Sequence, residues 1–121
     1  MEDYKMNQSD ISRLDMKQIN ELKNEMGEHL SELIQMYIEE SPVLLESIKK
    51  AVVESDKIKI RDTAHSLKSA TNVFGTNLLS EQCKSLEEAA KADSELDYDK
   101  AFIEIDNEYQ LFKKDLQELL M

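Results

Sequence analysis

The segment Ala64-His65-Ser66-Leu67-Lys68-Ser69 puts an imidazole one helical turn from an ammonium group, in a stretch whose apolar residues recur at helical spacing. A second stretch runs from Leu78-Leu79 through Cys83 to Leu86-Glu87. It follows Gly75 and can return a carboxylate to the same place. Imidazole is a nucleophile near neutral pH, and lysine is a phosphate-binding point charge. No other part of the chain offers a comparable set of groups.

On a helix, residues three, four and seven apart share a face. Arg61, His65, Lys68, Ser69 and Asn72 therefore form one stripe, beside the core stripe and not within it. Ser80, Lys84, Glu87 and Lys91 form a second stripe on the next helix. His65 lies ten residues before Gly75 and Glu87 twelve after it. In an antiparallel pair of helices those distances put the two residues at about the same level. Glu87 is then expected to accept a hydrogen bond from one ring nitrogen. That fixes the tautomer and leaves the other nitrogen as an exposed lone pair. Lys68 and Lys91 add positive charge around the ring. This suits a nucleophilic or phosphate-carrying histidine, not a metal site.

Plainer readings stand beside this one. A lone histidine on a helix is usually a polar surface residue, and His29, without such neighbours, is read that way. Lys68 and Lys91 also fit ordinary solvated i,i+4 pairs. Glu87 is unremarkable in an acidic chain, and Cys83 falls on the apolar side as core packing.

The elements that must hold these groups are legible from period and punctuation. Met16 to Met26 predicts a short helix with Leu14 and Ile19 to Leu22 on its apolar side and Gly27 at its end. Leu30, Leu33, Ile34, Tyr37 and Ile38 make another helical stripe. Ser41-Pro42 is expected to interrupt it and open a new helix, with Ser as cap and Pro in the first turn. That helix would bury Leu44, Leu45, Ile48 and Val52 and end near Ser55. Asp56 caps the next, which runs to about Phe74 with Ile60, Ala64, Leu67 and Thr71 inward. Gly75 suits the left-handed position past a helix end. Asn77 to Lys91 follows, with Leu79, Cys83, Leu86 and Ala90 inward. Ala92 to Asp97 is a polar connection. Phe102, Ile105, Tyr109, Phe112, Leu116 and Leu119 mark the last helix, with the seam of a bundle member.

Composition agrees. The 121 residues include only 2 Gly and 1 Pro, too few for the turns a sheet protein of this size needs. The expected fold is all-α, an antiparallel up-and-down four-helix bundle with one or two additional short N-terminal helices. Residues 1–11 are polar without period and are expected to be a flexible tail, with residues 12–121 forming the domain. The net charge of -11 argues against nucleic acid and anionic membranes as partners. The single Cys83 excludes an intramolecular disulfide and a cysteine-based zinc site. No apolar run is long enough for a bilayer and no signal pattern follows Met1, so a cytoplasmic protein is expected, and it is read as a monomer. Met1 and the compact length favour a freestanding protein, while a domain of a larger hybrid kinase stays open on sequence.

These residues resemble the histidine-containing phosphotransfer (HPt) domain of bacterial two-component phosphorelays. The pattern appears as His65-Ser66-Leu67-Lys68-Ser69, then Ala70-Thr71-Asn72, Gly75 and Leu78, then Cys83-Lys84-Ser85-Leu86-Glu87. Upstream, Tyr37, Ser41-Pro42, Leu44-Leu45 and Asp56 also look like the family. The likeness runs from about Leu14 to Lys91.

The resemblance implies that His65 accepts a phosphoryl group from a receiver-domain aspartyl phosphate and passes it to another receiver. Lys68 would steady the phosphoryl oxygens. Glu87 matches a position that bonds the imidazole, and Lys91 one that is basic in some members. Arg61, Ser69, Asn72, Lys84 and Lys91 would line the binding face. Ser69 stands where the family usually has Gly, a small residue that lets a partner loop approach the ring.

Such a domain needs no cofactor of its own. The Mg²⁺ that phosphoryl transfer requires would come from the receiver. It is a phosphocarrier without kinase activity. Its expected partners are receiver domains of response regulators or of a hybrid sensor kinase. Two alternatives remain open on sequence: a helical adaptor without phosphotransfer, and a histidine substrate phosphorylated directly by a kinase's ATP-binding domain.

Overall fold

The structure is a computed structural model and describes residues 13–120. The tail expected over residues 1–11 lies outside the described residues. Five helices account for most of the rest: α1 (Met16–Met26), α2 (His29–Val53), α3 (Lys57–Asn72), α4 (Leu78–Lys91) and α5 (Tyr98–Glu118).

Short polar side chains start four of these helices. Asp15 Oδ1 accepts from Gln18 N at 3.1 Å, Asp56 Oδ1 from Lys59 N at 3.0 Å, Asn77 Oδ1 from Ser80 N at 2.9 Å, and Asp97 Oδ1 from Lys100 N at 3.0 Å. Each satisfies a backbone donor the helix cannot, worth about 1 kcal/mol. Gly27 and Gly75 leave α1 and the α3–α4 turn with φ of 56° and 107°. Those are values a side chain resists.

The expectation at Ser41-Pro42 is corrected. No break occurs there, and α2 runs unbroken for 25 residues with Pro42 inside it. An interior proline costs about 3 kcal/mol through its missing N–H and its clash with the preceding turn. The buried stripe outweighs that cost. Leu30, Ile34, Tyr37, Ser41, Leu45, Ile48 and Ala51 stay in phase on both sides of Pro42. Each buried large apolar side chain contributes about 1.5–3 kcal/mol. Ser41, expected as a cap, is buried, and its hydroxyl donates to the Tyr37 carbonyl one turn back. Ala51 takes the inward place, leaving Val52 half-buried.

Helices α2 and α3, α3 and α4, α4 and α5, and α5 and α2 pack against one another, closing the four-helix bundle around one core. Ile48, Ile60, Leu67, Leu79, Leu86, Ile105, Phe112 and Leu116 are almost fully buried there. Tyr37, Phe74 and Phe112 stack edge to face at 5.4–6.3 Å between centroids. The Tyr37 hydroxyl meets Thr71 Oγ1 at 2.8 Å, tying α2 to α3. Burial pushes the Tyr37 hydroxyl up from its usual range, against the opposing effect of that bond.

The short α1 is the additional N-terminal helix, and it buries Ile19 and Leu22. Its end of the chain is tied to the α3–α4 turn and to α5. Gln18 Nε2 donates to the Val73 carbonyl at 3.3 Å, and Arg13 Nε pairs with the buried Glu108 at 3.2 Å. No helix among the described residues is long and apolar enough to cross a membrane.

Candidate functional site

Helices α3 and α4 are joined by a five-residue turn around Gly75, so they run antiparallel in extensive contact. Asp56 sets the start of α3 and Asn77 the start of α4. Asn77 and Ser80 form a reciprocal cap, with Asn77 N donating to Ser80 Oγ at 2.9 Å. This corrects one detail of the sequence reading. Ser80 is buried in that cap and does not share the core-flanking stripe of Lys84, Glu87 and Lys91.

With both helices anchored at the turn, Ala64 and Leu67 on α3 and Cys83 and Leu86 on α4 are buried in the one core. His65 and Glu87 then emerge side by side at the helix–helix seam. His65 Nδ1 and Glu87 Oε2 are 2.7 Å apart. Lys68 Nζ donates to the other carboxylate oxygen, Glu87 Oε1, also at 2.7 Å. The His65 side chain is 57% exposed, whereas Glu87 and Lys68 are 18% and 22% exposed. A reactive ring therefore stands in solvent on a sheltered ion pair.

The electrostatics are consistent. Partial burial alone would raise the Glu87 carboxyl, but the hydrogen bonds from Lys68 and His65 outweigh it and hold it below the usual carboxylate range. An ionised carboxylate only accepts, so Nδ1 carries the proton of that bond. In the neutral ring Nε2 is then an exposed lone pair, aimed away from Glu87. Cys83 lies beneath the site, and burial pushes its thiol up to about 12, so it stays protonated packing material.

An open depression beside the ring is lined by Arg61, Asp62, His65, Glu87 and Lys91. Asp62 is the member that sequence reasoning missed. It pairs with Arg61 at 3.0 Å, and its only sequence signal was its place beside the stripe. Ser69 and Asn72 are exposed on α3, and Lys84 is exposed on α4. None of these three bonds to His65 or Glu87. His29 is more exposed than His65 and pairs locally, with Glu32 at 3.0 Å on its own helix. No group of three or more His, Cys, Asp or Glu side chains suited to a metal forms among the described residues.

A family model described as "Hpt domain" matches residues 32–120. Among solved structures, the chain is similar to the crystal structure of histidine-containing phosphotransfer protein B from Pseudomonas aeruginosa PAO1. The TM-score is 0.83 at 24% sequence identity, covering 88% of this chain and 92% of that one. That likeness shows the shared fold. No curated protein sequence matches.

Proposed function

The chain belongs to the Hpt domain family, and on that footing we propose that His65 is its phosphoacceptor. At family level it is a phosphotransfer intermediate of two-component signalling, working with response-regulator receiver domains and kinases. What supports His65 in particular is one observation. Its Nδ1 is held by the ionised Glu87 at 2.7 Å while the rest of the ring is open to solvent.

The transfer follows from that geometry. The Nε2 lone pair attacks phosphorus of an aspartyl phosphate presented by a receiver. The N–P bond forms, and the P–O bond to the aspartate breaks. The electron pair leaves with the aspartate carboxylate. Nδ1 keeps its hydrogen throughout, so no proton has to move. The ring becomes cationic, and Glu87 lies where it stabilises that charge. Return to a second receiver is the same step in reverse.

The charge on the transferring oxygens requires a metal and cations. We assign the Mg²⁺ to the receiver, whose carboxylates would hold it. The chain then acts as a monomeric cytoplasmic carrier, contributing a nucleophile and its orientation. Arg61 and Lys91 rim the depression that the incoming phosphoryl group would approach.

The test uses the purified protein with two donors separately: a phosphorylated receiver plus Mg²⁺, and ATP plus a kinase's ATP-binding domain. The expected result is one acid-labile, base-stable phosphoryl group from the receiver, absent in His65→Gln. Labelling only by the kinase domain would make the chain a direct kinase substrate. Undiminished labelling of His65→Gln would remove His65 from the reaction.

A further inference from the structure

We propose that Lys68 serves this site as a positioning residue, holding Glu87 against the His65 ring, and does not bind the phosphoryl group itself. This rests on His65 being the acceptor. It departs from the role the resemblance suggests for Lys68.

Three observations carry it. First, each oxygen of the Glu87 carboxylate has one partner. Oε2 meets His65 Nδ1 and Oε1 meets Lys68 Nζ, both at 2.7 Å. The lysine therefore fixes the rotation of the group that orients the imidazole. Second, the ammonium is sheltered. Lys68 is 22% exposed beside a ring that is 57% exposed, on the carboxylate side of the site. Third, the pair is electrically closed. The Lys68 charge is matched by Glu87, so it offers little net attraction to an incoming dianionic phosphoryl group.

The competition explains why such a holder is needed. Lys84 and Lys91 stand three residues before and four after Glu87 on the same helix, where i,i+3 and i,i+4 pairs form readily. Neither pairs with Glu87 here. Without Lys68, the carboxylate would be free to turn along α4 toward them and leave the ring. A partly buried charge-assisted bond outcompetes those solvated partners.

The proposal adds no step to the transfer. Nε2 still forms the bond to phosphorus, and the ring still becomes cationic with Nδ1–H on Glu87. Lys68 acts only through the carboxylate.

A double-mutant cycle on the full chain separates the two roles. Receiver-dependent transfer rates are measured for wild type, Lys68→Met, Glu87→Ala and the double variant, with helix content checked for each. Lys68→Met alone is expected to slow transfer about tenfold, on the scale of one charge-assisted hydrogen bond. In the Glu87→Ala background the same change should have no further effect, within about twofold. Lys68→Arg should restore most of the rate. If Lys68→Met slows transfer equally in both backgrounds, lysine meets the phosphoryl group directly and the proposal fails.

A second readout needs no phosphate. The ¹⁵Nδ1 resonance of His65 in the unphosphorylated protein should move in Lys68→Met toward its position in Glu87→Ala. An unmoved resonance also overturns the proposal. A wild-type protein that no receiver labels would instead overturn the phosphoacceptor reading, leaving this spectroscopic test to stand alone.

Discussion

A methyl group on Gly75 would place its carbon 2.6 Å from Asp15 Cβ, well inside contact distance. Gly75 also carries φ of 107°, where a side chain is strained whatever the space. The turn that sets the α3–α4 register, and with it the level of His65 and Glu87, is thus sealed by the residue that caps α1.

Gly75→Ala should therefore destabilise the protein by about 2–4 kcal/mol, from backbone strain plus the clash. Part of that cost should disappear in an Asp15→Gly background, which removes the obstructing Cβ. Glycine is itself a tolerable N-cap, so Asp15→Gly alone should cost only a few tenths of a kcal/mol. Urea unfolding of the four proteins measures the cycle. Additive costs would mean that φ alone matters and that the Asp15 contact is relieved freely.

Glu87 gives the protein a pH dependence whose sign is fixed by its depressed carboxyl. The folded state holds the proton more weakly than the unfolded chain, whose carboxyls lie near the usual value of about 4.3. Its contribution is therefore complete above that value and is lost as pH falls through the lower folded value. At pH 7, Glu87→Gln should be less stable than wild type by roughly 1–2 kcal/mol, since the amide still accepts one bond. The gap should narrow steadily below about pH 4. Denaturant midpoints from pH 7 to pH 3 check this. A gap that stays constant into acid would mean that the carboxylate charge contributes nothing.

Ser69 stands one turn after His65 on the exposed face of α3. A receiver loop reaching Nε2 must pass close to it. Ser69→Gly should leave transfer nearly unchanged. Ser69→Tyr should slow it by at least tenfold with helix content intact, because the ring would occupy the approach. Circular dichroism and receiver-dependent labelling measure the two halves of this expectation. Full transfer by the tyrosine variant would move the docking path to another side of the imidazole.

What the sequence determined by itself is local. Asp56 reads as a cap because a short side-chain oxygen three residues before a backbone N–H acts within one turn. The α3 and α4 stripes were legible because burial follows a 3.6-residue period. The pairing of His65 with Glu87 came from counting residues on either side of Gly75, which works because both helices are regular and the turn is short.

The tertiary structure decided each question in which two comparable energies compete. Pro42 reads as a helix start, yet packing on both sides of it outweighs the lost hydrogen bond. The in-phase stripe from Leu30 to Ala51 was the signal of that outcome. Ser80 has the spacing of a surface residue, yet its hydroxyl closes the cap with Asn77. Arg13 and Glu108 lie 95 residues apart and meet only because α1 docks across the end of the bundle. Lys68 is the sharpest case. Its flexible stem could reach solvent, phosphate or carboxylate equally well. Its target follows from where α4 places Glu87, a position that no spacing along α3 encodes.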